Sequence, residues 1–370
     1  MLGPARTRRL RSRTLAALLL LPLAIAIQAL CAHFPDAVEA LYARGVFPTL
    51  VAVVAWASSC FQFSVAELGL AVLCFALAWG LAWFVRALLR GKGRRAHILG
   101  RATVVLLLVA GGSYVLFLLV WGLNYQRLTF GRLAGLPVRP SEKKELVALT
   151  ADLIDAANRL REGLPEDARG AMRLADGPHA ALARTVLAVP ALRSRYPWLP
   201  RPEIHPKPAW TSPLLARLGI GGFYFPLTAE PHIDVELPDS EIPFCASHEV
   251  AHELGFARED EANYVGYLLC RLHPDADFKY SGAYLAGRQA LAALASVDRS
   301  EARALDSRRS LAVRRDVAAL AAWLARYNGP AMKAAQRVND AYLRSQGQEG
   351  VRSYGRMIDL LLAERRAQSN

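Results

Sequence analysis

The chain has 370 residues, 53% of them hydrophobic and 21% charged, with a mean hydropathy above zero; that composition excludes a disordered or collagen-like polymer. Of the formal net charge of +13, residues 1–124 carry +9, from twelve Lys and Arg against Asp36, Glu39 and Glu67. The excess lies in two clusters, Arg6 to Arg13 and Arg86 to Arg101, which is the pattern of loops held on the cytoplasmic side of a membrane and not of a nucleic-acid footprint.

Residues 1–14 read as a basic cytoplasmic N-terminus, and residues 15–125 as a transmembrane region. The first apolar run, 15–32, has no A-x-A-like exit at its end, which favours a retained signal anchor over a cleaved signal peptide. Further spans are expected at 68–85 and 102–123, the last closing on Trp121, Asn124 and Tyr125 as an interfacial belt. Between them, 47–63 contains an apolar stretch of only about ten residues, short for a span, so a re-entrant or interfacial segment is expected there. A fourth span would put the two basic clusters on opposite sides of the membrane. Three spans place the N-terminus in the cytoplasm and residues 126–370 outside a bacterial cytoplasmic membrane.

From Pro140 the pattern becomes that of a soluble domain. Leu146, Leu149, Leu153, Ile154, Ala157 and Leu160 recur at helical spacing. Residues 221–237 alternate enough to predict two short strands and a turn. After Pro238 helices return to the end, so the C-terminal domain is mostly α-helical with one small sheet. Five scattered cysteines without a CxxC form no disulfide framework. Cys245 and Cys270 pair in an oxidising compartment or remain two thiols, and the spacing decides neither.

The stretch from Pro243 to Asn263 carries the chemistry. His248 and His252, four apart, project from one helical face and offer two imidazoles to one ion. Glu249 is rotated about 100° from His248, beside such an ion, where it can take a proton from a metal-bound water. Pro243 suits the first turn of this helix, Gly255 its end, and Glu259 begins a second helix. A catalytic zinc takes three protein ligands and keeps one open position, and the second helix supplies an acid for the third. Glu259 is the first choice and Glu261 the alternative; the two point about 200° apart, and Glu259 places Asn263 one turn on along the same face while Glu261 would place the apolar Val265 there. The other histidines, His33, His97, His179, His205, His232 and His273, are read as ordinary core or surface residues.

The segment Ile233 to Phe244, His248-Glu-Val-Ala-His252 and Glu259-Asp-Glu-Ala-Asn263 resembles the zincin superfamily of zinc peptidases, of gluzincin type. With Trp121-Gly-Leu-Asn-Tyr125, Val338-Asn-Asp-Ala-Tyr342-Leu and Gly347 to Gly355, nearly the whole chain is similar to an uncharacterised bacterial membrane family, the domain of unknown function DUF3810. The resemblance implies a zincin-like α+β fold, Zn2+ as cofactor, Glu249 as general base, Glu259 as third ligand with Asn263 supporting it, and a peptide or protein substrate that is unknown for the family. Only six residues separate His252 from Glu259, fewer than in most gluzincins. Zincins bind an extended peptide on an edge strand above the active helix, and residues 223–237 are the candidate. Tyr280, Tyr284, His232 and Tyr354 are candidate oxyanion stabilisers. The competing expectation is a catalytically inactive zincin-fold binding or regulatory membrane protein.

Overall fold

The computed structural model describes residues 4–91, 93–200 and 206–369. Lys92, His205 and the side chains of the five N-terminal arginines lie outside the described residues. The chain forms two compact units, residues 1–50 with 65–127, and residues 51–64 with 128–370.

Among the described residues three helices are long and apolar enough to cross a membrane, Pro35–Ser59, whose residues from Val51 on belong to the second unit, Val65–Arg90 and Arg95–Val120; the apolar part of the first helix, Ala16–Ala32, is shorter. Phe75, Trp79 and Trp83 project outward from Val65–Arg90, as expected of a helix whose solvent is hydrocarbon. The first helix, Pro4–Ala32, packs on Arg95–Val120, Leu20 against Gly111 and Gln28 against the Tyr114 hydroxyl. The expected ten-residue apolar stretch is the end of a longer helix that starts at Pro35 and passes through a π-helical segment, Val38–Val46. Asp36, Glu39 and Arg44 concealed that continuity by interrupting the apolar run. Glu39 is buried because Arg127 reaches it through Nε at 2.8 Å and Nη2 at 2.9 Å, with Arg44 Nε also at 2.8 Å. The Tyr42 hydroxyl donates to Leu119 O at 3.0 Å, and the Phe47 ring meets Trp121 at 6.1 Å, so the stretch from Tyr42 to Phe47 lies at the C-terminal end of Arg95–Val120. Trp121 and Tyr125, expected as an exposed belt, are buried.

The second unit is mostly helical around a three-stranded sheet ordered β1-β3-β2. β2 (Gly222–Phe225) pairs antiparallel with β3 (Glu230–Ile233) in the register Gly222↔Ile233, and β1 (Lys207–Pro208) pairs parallel with β3. The two strands expected from 221–237 are present; the two-residue β1 is too short to leave a pattern. The helix Lys143–Arg161 lies along Ala276–Val297 and closes the core with Leu146, Leu149, Leu153 and Ile154. The motif helix, Ile242–Glu253, is buried on all sides apart from Cys245. It ends at Gly255, whose φ of 86° suits a residue without a side chain. The following helix, Glu259–Leu272, folds back over it. At their crossing Gly266 stands so close to His248 that a Cβ there would meet the His248 nitrogen at 3.0 Å. Residues 51–64 belong to this unit because Lys207 Nζ donates to Phe61 O and Phe63 O, both at 3.1 Å, and Ser64 Oγ meets His232 Nε2 at 2.7 Å.

Candidate metal centre

The motif helix and the helix that folds back over it bring His248, His252 and Glu259 together, with their ligand atoms all within 4.8 Å of one another. Glu259 Oε2 lies 3.3 Å from His248 Nε2 and 3.7 Å from His252 Nε2. Two ligand atoms at a tetrahedral angle about one zinc, each at about 2.0–2.1 Å, stand about 3.4 Å apart, so the spacing suits a single ion. The donor chemistry agrees: two imidazoles and a carboxylate are a catalytic zinc set. His252 Nδ1 lies 2.7 Å from Phe256 O, which assigns the proton to Nδ1 and leaves Nε2 with its lone pair toward Glu259. Glu259 Oε2, buried, has no hydrogen bond of regular geometry. A buried carboxylate oxygen in that state, beside two imidazole nitrogens, has a lone pair that a cation would satisfy.

The electrostatics point the same way. Burial, then the charge of His248, lowers His252 to about 4, so it stays neutral and able to ligate. Burial raises the Glu259 carboxyl, but its contact with His248 and its closeness to His252 outweigh it and hold the group below its ordinary value. Glu249 is the opposite case: burial, with a contribution from the charge of Glu259 and against that of His248, pushes it up to about 8. A carboxylate with a raised proton affinity is what a general base needs. Its Oε2 is buried without a hydrogen-bond partner, and Gly222 of β2 lies on its other oxygen, where a Cβ would come to 2.9 Å from Oε1.

Glu261 is turned away. Its Oε1 accepts from the Phe130 backbone N–H at 2.8 Å, and it lines a cavity of about 420 Å³ with Arg258, Asp260 and Gln348 on the far side of the helix start. Asn263 stands beside His248 and donates through Nδ2 to Tyr354 O at 2.8 Å. Of the four candidate oxyanion stabilisers, only Tyr354 belongs to the site: its ring stacks on His248 at 6.3 Å, and burial with the charge of Glu259 keeps its hydroxyl protonated. Tyr280 is committed to Asp316, 2.5 Å away, beside the buried Arg161. Tyr284 lies against Arg288, and His232 bonds Ser64 and stacks on Phe223. Cys245 and Cys270 are free thiols.

Three contributors had no signal in the sequence. The Phe256 carbonyl orients His252 through a backbone atom, Gln348 Oε1 accepts the Glu259 N–H at 3.0 Å from 89 residues away, and Gly222 makes room for Glu249. With this geometry, Glu259→Ala should weaken zinc binding at least about ten- to a hundredfold, while Glu261→Ala stays near the native affinity in a metal-competition titration.

No curated protein and no solved structure matches the chain. Residues 42–362 match the family described as "Protein of unknown function (DUF3810)", and the chain belongs to that family.

Proposed function

We propose that the protein is a membrane-anchored, zinc-dependent peptidase. The observation that carries the reading is the convergence of His248 Nε2, His252 Nε2 and Glu259 Oε2 on one point, with the buried Glu249 next to it. A zinc ion held there would acidify a water and polarise a carbonyl. Glu249 accepts the proton of that water and returns it to the departing amine nitrogen as the C–N bond breaks, a transfer suited to a group whose proton affinity is raised. The Tyr354 hydroxyl, kept protonated, donates to the carbonyl oxygen as charge builds on it. β2 is an edge strand among the described residues, and Gly222 puts its first residue against Glu249; an extended peptide adding to that edge brings a backbone carbonyl to the site.

Glu249→Gln should leave zinc content unchanged and lower peptide hydrolysis by about 10²-fold or more. Equal hydrolysis by native and variant protein, or none by the native protein against a diverse peptide library, would favour the inactive binding or regulatory scaffold.

The membrane arrangement is also part of the proposal. Val65–Arg90 and Arg95–Val120 are joined by residues 91–94, too short a link to cross a bilayer, so Val65 and Val120 emerge on one side. Phe47, midway along Pro35–Ser59, meets Trp121, and five residues separate Ser59 from Val65; we place this helix in the interface on that same side. Pro4–Ala32 then supplies the third crossing, and both basic clusters fall in the bacterial cytoplasm. Reporters fused after Asn124 and after Asn370 should read extracytoplasmic, and one at Lys92 cytoplasmic; a cytoplasmic signal from Asn370 would contradict the arrangement.

A further inference from the structure

The second unit carries an apolar foot. Trp56, Phe61, Phe63, Trp210, Leu214 and Leu227 are between 38% and 70% exposed, and they are not scattered. The rings of Phe61 and Phe63 lie 5.2 Å apart, and those of Phe63 and Trp210 6.2 Å. Lys207 Nζ ties the carbonyls of Phe61 and Phe63 to Glu230 of β3, 2.7 Å away. The turn between β2 and β3, with Leu227 at its tip, is fixed to the same place, since Ser58 Oγ donates to Thr228 O at 2.8 Å. Ser58 is the last turn but one residue of an apolar helix, Pro35–Ser59, long enough to belong in a membrane. Exposed tryptophan and phenylalanine rings continuous with such a helix are what a bilayer interface selects. The occupant of this foot is therefore lipid.

A consequence for the active site follows from the direction of β2. One end of the strand, Gly222, lies on Glu249. The other leads through Phe225 to Leu227, in the foot. The four residues of the strand, about 10 Å from end to end, and the first half of the turn, Pro226 and Leu227, separate the two. A peptide that lengthens the sheet along this edge thus passes from the lipid surface to the site within a few residues.

We propose that the substrate is the membrane-proximal, extended segment of a polypeptide anchored in the same bilayer, cut within about ten residues of its anchor. This rests on the hydrolytic reading above and uses the same reaction: water gives its hydroxyl to the carbonyl carbon and a proton to the leaving nitrogen. The test uses the full chain in vesicles of phosphatidylethanolamine and phosphatidylglycerol. Random-sequence peptide cassettes are offered either free or tethered by a palmitoyl chain through Gly/Ser spacers of increasing length, and the cut positions are read by mass spectrometry. Cutting should fall at least about tenfold from the shortest spacer to the longest, with each cut at a constant distance from the anchor. Mere co-localisation would favour long spacers, and equal cutting of free and tethered cassettes, or cuts that move outward with the spacer, would overturn the proposal while leaving the peptidase reading intact. No cutting of any cassette overturns both. Independently of activity, photo-reactive p-benzoylphenylalanine replacing Leu227 should form lipid adducts in the same vesicles; adducts with water or protein alone overturn the foot.

Discussion

The contact on which the C-terminal unit depends is the crossing of its two motif helices at Gly266. Any side chain there would press on the backbone of His248 and Ser247, and the helices would have to move apart. Their closeness is what lets Glu259, about two turns away along its helix, come within 3.3 Å of His248. The Gly255 turn sets the angle of return and supplies, through the next carbonyl at Phe256, the acceptor that orients His252. Ligand geometry, ring orientation and packing are thus consequences of one short connection.

Burial gives the site its electrical character. Four ionisable groups sit together out of water, an arrangement that costs several kcal/mol per charge unless the charges offset one another or meet a cation. His252 responds by losing its proton and Glu249 by a raised proton affinity, while His248 and Glu259 remain as an opposite pair. A divalent ion would remove the conflict for all four at once. The C-terminal segment completes the enclosure, with Gln348 on the Glu259 N–H and Tyr354 stacked on His248.

How much of this the sequence discloses follows from range. Relations written in local spacing were legible: His248 and His252 on one face, and Glu259 turned toward them while Glu261 turns away, because a helix fixes relative direction over a few residues. The long apolar helices Val65–Arg90 and Arg95–Val120 were legible for the same reason. Contributions that depend on distant chain were not. Tyr354 could be named only as one of four candidates, since 106 positions after His248 no periodicity connects them. Trp121 and Tyr125 read as interfacial because composition cannot distinguish a ring facing lipid from one packed on Phe47 or on its neighbour. The actual exposed rings, Phe61, Phe63 and Trp210, are spread over two distant stretches and become a surface only after Lys207 binds the first stretch to the sheet. Charges misled in one place: Glu39 and Arg44 broke the apolar pattern of Pro35–Ser59, although in the fold they neutralise each other with Arg127.

Hydrolysis at this site would need one ion held by His248, His252 and Glu259. Zinc K-edge X-ray absorption on the full-length protein in lipid tests that directly. One zinc per chain is expected, with two imidazole nitrogens, one carboxylate oxygen and a water at about 2.0–2.1 Å, and a first shell with one oxygen fewer, or a lowered zinc content, in Glu259→Ala. A chain that takes up no zinc, or whose zinc keeps an unchanged first shell when His248 or His252 is replaced by Ala, would contradict this reading.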